Sequence, residues 1–150
     1  MCIFDDLRKD HDFQRELANA LIHTHTDAGT RMEVFSRLKR ELTAHVYAEA
    51  EYLHHALLTN DLTREASFGS LSDHRALLML IDMLEETEYE STRWLAIART
   101  LHHRLHFHLA EEEHQLFSLA SHVLDDDKRA EIAMRYRQQM THGVMSAPVN

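Results

Sequence analysis

Six residues of this chain combine metal-binding side chains with a repeated spacing: His11, His45, Glu49, His74, His108 and Glu112. In order they read His, His-x-x-x-Glu, His, His-x-x-x-Glu, spread across 150 residues. Imidazole and carboxylate together form a ligand set for transition metals. A spacing of four puts His and Glu on one helix face, one turn apart. Two such pairs and two single His, each on its own helix, could line a two-metal site inside a four-helix bundle. The chain holds 14 His, so about one His-x-x-x-Glu pair is expected by chance and position must decide. Only His45 and His108 have Glu four residues on, and both lie on the apolar stripe of a long helical pattern. His23–Asp27 and His122–Asp126 run off helix ends and are set aside.

The residue types suit two cations held a few ångströms apart. Two such cations repel, and bridging carboxylates offset that repulsion, a task for Glu49 and Glu112. His11 and His45 would then serve one metal, His74 and His108 the other. Two bridging and four terminal ligands leave room for an oxo group, water, O₂ or NO. A single Cys excludes the sulfur-rich structural zinc type. For the two metals the set fits iron ions best, with manganese or zinc possible.

The elements that position these residues are helical. Gly is 3 and Pro is 1, and helix-favouring residues dominate, which points to an all-α fold. Helix 1 is expected from about Asp5 to His25, with Leu7, His11, Leu17, Ala18 and Leu21 inward. A turn follows at Thr26–Thr30, with Gly29 as the helix stop. Helix 2 runs from about Thr30 to Leu58, its inward stripe passing through Leu38, Leu42, His45, Glu49, Tyr52, Leu53 and Ala56. Helix 3 begins between Leu62 and Ser72 and continues through Leu77, Ile81 and Leu84. Helix 4 spans about Ser91–Leu124, with Leu105, His108, Glu112, Leu116 and Leu119 inward. A shorter fifth helix, about Asp127–Met140, packs through Ile132, Met134 and Tyr136. The expected architecture is one domain over 1–150: an up-down-up-down antiparallel four-helix bundle (about 5–124), the C-terminal helix (about 127–140) and a mobile tail (141–150).

Short connections make neighbouring helices antiparallel. At 1.5 Å rise per residue the six ligands then fall within a turn or two of one level, nearer one end of the bundle. Eight other His (His54, His55, His102, His103, His106, His114, His122 and His142) mostly point off the inward stripes and read as surface or supporting residues.

Composition narrows the function classes. Net charge is −9 with His neutral, and scattered Lys and Arg give no footprint for nucleic acid. No apolar run approaches a membrane span. The start, Met1 to Asp6, lacks the basic and apolar regions of a secretory signal, and the lone Cys2 fits a reducing compartment, so a cytoplasmic location is expected.

With these residues in view, the chain resembles the hemerythrin-like family, the HHE cation-binding domain. The matching segments are Arg8-Lys9-Asp10-His11-Asp12, His45 to Glu51, Asp73-His74-Arg75, and His108-Leu-Ala-Glu-Glu112-Glu113-His-Gln-Leu-Phe117, over about residues 5–124. The resemblance implies an up-down four-helix bundle holding a non-haem di-iron centre with carboxylate and oxo bridges. Oxygen-carrying hemerythrins have two His one turn apart on helix 3, giving five His ligands. Here the residues four away from His74 are Ser70 and Leu78. The four-His, two-Glu set resembles the bacterial branch linked to nitric oxide stress and repair of iron centres, without its extra N-terminal Cys-containing domain. A second departure, Leu53-His54-His55 in place of an apolar-aromatic-Pro ending, is expected to touch the end of helix 2 and not the site.

The expected function is a di-iron protein that binds or reduces O₂, NO or peroxide in stress response or iron handling. Alternatives are reversible O₂ binding, or a structural or storage metal site without redox role. Whether it is an enzyme stays open. The expected partner is a small diatomic or peroxide ligand, with no nucleic acid and no membrane, in a monomer or homodimer. Leu78 is expected to wall the second metal, leaving it one nitrogen ligand short.

Overall fold

The structure, a computed structural model, describes residues 2–25 and 27–146. Helix α1 is Ile3–Ile22. Helix α2 spans 28–57 in three continuous parts: α-helical Ala28–Ala48, a π-helical turn Glu49–His54, and a last α-turn His55–Leu57. Helix α3 is Arg64–Glu85. Helix α4 spans 92–121, as Thr92–Glu111, a second π-helical turn Glu112–Leu116, and Phe117–Ser121. Helix α5 is Asp126–Ser146. No strand occurs among the described residues.

Local chemistry accounts for the starts. Asp27 caps α2, its carboxylate accepting from the Gly29 amide at 3.0 Å and the Thr30 hydroxyl at 2.7 Å. Ser91 caps α4 by accepting from the Trp94 amide at 3.1 Å. Gly29 thus belongs to the first turn of α2, not to the stop of α1, because the Asp27 cap starts a helix one residue before it. Thr26 lies outside the described residues. Helix α5 passes its expected end at Met140 and includes residues assigned to a mobile tail, whose remainder, 147–150, is also outside the described residues.

Two apolar clusters set the packing. In the first, Leu17 and Leu21 at the end of α1 meet Phe35, Leu38 and Leu42 at the start of α2, while Leu77, Ile81 and Leu84 late in α3 meet Trp94, Ile97 and Leu101 early in α4. Ends meeting starts make both pairs antiparallel. In the second, Ile3, Phe4 and Leu7 meet Leu53, Leu57, Leu116, Phe117 and, from α5, Ile132, Ala133 and Tyr136. Each cluster removes a dozen or more side chains from water, at roughly 1.5–3 kcal/mol for each large one fully buried. Between the clusters runs a layer of buried polar side chains. The bundle is four antiparallel helices with α5 laid against α1 and α2 at the polar layer's end. Met134 was expected inward and is exposed; Ile132, Ala133 and Tyr136 make the buried face of α5.

The π-turns shift the inward stripes by about one position. On α2 the buried residues after Glu49 are Leu53, His54 and Leu57, with Tyr52 and Ala56 only half-buried; on α4 they are Leu116, Phe117 and Ala120, with Leu119 half-buried. A 3.6-residue period carried through the inserted residue predicts Tyr52, Ala56 and Leu119 instead.

Gly69 sits inside α3 on an exposed face, and a Cβ there would meet nothing within 4 Å. Replacing helix-interior Gly by Ala at such a site gains about 0.4–1 kcal/mol, mainly through the unfolded chain. Gly69→Ala is therefore expected to raise the thermal midpoint by a few degrees in calorimetry; a lowered midpoint would contradict the open environment.

Candidate metal centre

All six sequence-assigned residues are buried, and they meet in the polar layer. His11 comes from α1, His45 and Glu49 from α2, His74 from α3, and His108 and Glu112 from α4. The two spaced pairs face inward together: His45 Nε2 is 2.8 Å from Glu49 Oε2, and His108 Nε2 is 3.3 Å from Glu112 Oε2. His11 Nε2 lies 3.2 Å from Glu112 Oε1, and His74 Nε2 is 3.9 Å from both Glu49 Oε1 and Glu112 Oε2.

A seventh residue joins them. His54, read as a surface or supporting side chain, is fully buried, with Nε2 3.0 Å from Glu49 Oε1. At about 100° per residue a regular helix would place it ~140° from Glu49. The π-turn Glu49–His54, bonding i to i+5, swings it back onto the Glu49 face. Ser67 Oγ lies 2.6 Å from its Nδ1, and Ser70 Oγ lies 3.3 Å from its Nε2 while donating to Glu112 Oε2 at 2.9 Å. Of the eight His set aside, His54 is the one that enters the donor groups among the described residues. His106 instead lies against His102, with ring centroids 4.3 Å apart and planes tilted by 41°.

The donors fall into two groups that share both carboxylates: His11, His45, Glu49 and Glu112, and Glu49, His54, His74 and Glu112. Within each group the ligand atoms lie within 4.8 Å of one another. His108 stands beside the second group, its ring 4.8 Å from that of His74. Sharing of Glu49 and Glu112 is the geometry that two bridging carboxylates require. The expected division of imidazoles therefore changes. His11 and His45 remain together, but the other side gathers three, His54, His74 and His108. The side expected to be one nitrogen short gains a further imidazole, His54, from α2 and not α3. Leu78 packs against the first apolar cluster. The Leu53-His54-His55 departure thus reaches the site.

The interior atoms fit a metal. Nε2 of His11, His45, His74 and His108, Oε2 of Glu49 and Oε1 of Glu112 are buried and have no hydrogen-bond partner of acceptable geometry. Among them His11 Nε2 and Glu112 Oε1 lie 3.2 Å apart, and His45 Nε2 and Glu49 Oε2 lie 2.8 Å apart. Buried polar atoms without partners are expensive, and a cation among them removes that cost. On the outward side, His11 Nδ1 meets Glu113 Oε2 at 3.2 Å, His108 Nδ1 meets Asp73 Oδ2 at 3.1 Å, and His45 Nδ1 meets Tyr136 Oη at 2.7 Å. An imidazole whose outer nitrogen donates to such a partner keeps its inner lone pair free for a metal.

No protein-family model and no curated protein matches the sequence. Among solved structures the chain is similar to the crystal structure of a hemerythrin HHE cation binding domain-containing protein, the Rv2633c homolog from Mycobacterium kansasii. The TM-score is 0.87 over 98% of this chain and 90% of that one, at 18% identity. The fold is that of a hemerythrin HHE domain. The donor set stands on this chain's own geometry within that hemerythrin fold.

Protonation in the metal-free hemerythrin fold follows from burial and neighbours. Burial pushes His45 well down and takes His74 to about 3 and His54 to about 4, so these three imidazoles are neutral. Burial also opposes charge on His11 and His108, but the carboxylates of Glu112 and Glu113, and of Glu112 and Asp73, outweigh it and hold each up at about 9. Burial and the adjacent Glu112 push Glu49 up; Glu112, although burial opposes its charge, is held down by His108 and His11. A metal must therefore displace protons from His11, His108 and Glu49.

Two predictions follow from this arrangement. Protons compete with metal below a group's pKa, so apparent metal affinity is expected to rise with pH through neutrality and level off above about 9. Competition titrations against a chelator at several pH values measure this; a flat profile would contradict protonated His11 and His108. His54→Ala is expected to lower metal content or affinity, whereas exposed His55→Ala leaves both unchanged, as read by elemental analysis. Equal effects of the two would contradict the π-turn register.

Proposed function

We propose that this chain holds a pair of iron ions and binds or reduces O₂, NO or peroxide, in oxidative or nitrosative stress response or iron handling. The observation that carries the reading is the pair of buried donor groups sharing Glu49 and Glu112. Oxygen and nitrogen donors without thiolate suit iron, with manganese or zinc as competitors. Iron bound there would cycle between ferrous and ferric states and take up a small ligand.

The chain's own residues support small-ligand chemistry. Glu49 and Glu112 supply the negative charge that lets two cations approach. Neutral His45, His54 and His74 bind without first releasing a proton. Ser70 fixes the Glu112 carboxylate. A cleft of about 460 Å³ between α3 and α4, bordered by Gly69, Ser70, Asp73, His108 and Glu112, leads to the shared carboxylate. Phe117, stacked on His11 with centroids 6.0 Å apart, closes the apolar side. No helix among the described residues is long and apolar enough to cross a membrane.

One observation favours a second reading, reversible O₂ binding: with His108 beside the two donor groups, His54 raises the imidazole count to five, the number that the resemblance gives for oxygen carriers. Elemental analysis and an optical spectrum of aerobically purified protein test the first reading. Two iron per chain and a near-ultraviolet and visible chromophore that bleaches on reduction are expected. An O₂ adduct that releases O₂ on degassing would replace it with the second reading, and absence of any redox-active chromophore after iron reconstitution would overturn both. Chelation is expected to lower the thermal midpoint, since metal bound only to the folded state stabilises it.

A further inference from the structure

The phenol of Tyr136 stands between a ligand of the proposed centre and a carboxylate from a third helix. Tyr136 is 1% exposed, and its oxygen lies 2.7 Å from His45 Nδ1 and 2.5 Å from Asp10 Oδ2. Its ring meets the imidazole edge-on, with centroids 5.9 Å apart at 86°. The donor order has one consistent direction. The Tyr136 hydroxyl donates to the Asp10 carboxylate, so the phenol oxygen accepts from His45 Nδ1–H. Proton placement on Nδ1 leaves the lone pair on Nε2, which faces Glu49 Oε2 at 2.8 Å.

We propose that Tyr136 is the positioning residue of His45, and that through it the docking of α5 is coupled to metal retention. The inference rests on the metal centre argued above. His11 and His108 receive their outer partners directly from α4 and α3, as Glu113 and Asp73, and His54 from Ser67 of α3. His45 differs, because its partner comes from outside the four-helix bundle. A chain from Asp10 on α1 through Tyr136 on α5 to His45 on α2 fixes the imidazole tautomer and ring angle, and carries the carboxylate's electrostatic pull to the ligand nitrogen. Undocking α5 removes that support. By reciprocity, a metal that selects the Nε2-free tautomer strengthens α5 docking.

Co²⁺ titration of the full-length chain, in competition with a chromophoric chelator, tests this. Tyr136→Phe is expected to weaken the site that holds His45 by about 10- to 100-fold and to shift the visible bands of bound Co²⁺. Asp10→Asn, which keeps the phenol and the packing, is expected to act in the same direction and carries the test if Tyr136→Phe folds poorly. The double variant should be no weaker than the weaker single, because one broken chain is shared. Tyr52→Phe removes a different α2–α5 hydrogen bond, to Gln139 at 3.4 Å, and is expected to leave Co²⁺ binding unchanged. In the wild type, Co²⁺ should slow hydrogen exchange in α5; in Tyr136→Phe it should not. Wild-type affinity and bands in both Tyr136→Phe and Asp10→Asn overturn the inference, as does an equal loss in Tyr52→Phe. A wild-type chain that takes up no Co²⁺ overturns the metal centre itself, and this inference with it.

Discussion

Everything in this molecule is arranged around two carboxylates buried side by side. Glu49 and Glu112 lie buried in the centre of a helical bundle, where a lone carboxylate is strongly disfavoured and two adjacent ones repel. The interior answers with five imidazoles, at least one from each bundle helix, and with the Ser70 hydroxyl on Glu112. Behind the imidazoles stand Glu113, Asp73, Ser67 and Tyr136. Removing a partner leaves an ionisable group buried and uncompensated. The polar layer therefore constrains the whole fold, and the apolar clusters on either side fix its depth in the bundle.

The two π-turns are part of the same constraint. Each begins at a shared carboxylate, Glu49 on α2 and Glu112 on α4. A regular helix can aim residues four apart at one point, which brings in His45 and His108, but not a residue five further on. The inserted residue in α2 lets that helix deliver a third donor, His54, to the same place. In α4 it turns both Leu116 and Phe117 inward, and Phe117 covers His11. Local irregularity in the backbone is thus tied to the donors at its start.

What was legible in the chain follows from which signals are local. Helix stripes such as Leu7, Leu17, Ala18 and Leu21, or Leu77, Ile81 and Leu84, declare themselves by their period and are buried as read. The inward placement of the six spaced His and Glu was legible for the same reason. His54 was not, because a π-turn has no compositional mark and the 3.6-residue period carried past Glu49 points it outward. A weaker trace existed on helix 3, where Ser67 and Ser70 lead the stripe that continues to His74 and Leu77. Small hydroxyl residues on an inward face ask for a polar partner, and His54 is that partner. Gly29 was misread because Gly suits both the end of one helix and the first turn after an Asp cap. Tyr136 was read as packing; its contact to His45 spans 91 positions and leaves no periodic sign.

The resulting centre is unequal on its two sides. With Glu49 and Glu112 shared, one side offers His54, His74 and His108, and the other only His11 and His45. Protein donors crowd the first side and leave more room on the second. The roomier side is also the one whose two imidazoles are both backed by acids, His11 by Glu113 and His45 by Asp10 through Tyr136. On the fuller side only His108 has an acid behind it, Asp73; His54 has a neutral hydroxyl and His74 Nδ1 has no partner. Backing by anions makes an imidazole a stronger donor and favours the more positive metal state. Fewer protein donors and anionic backing therefore coincide at His11 and His45. The cleft instead reaches Glu112 from the His108 side, so the shared carboxylate stands between the cleft and the pair His11 and His45.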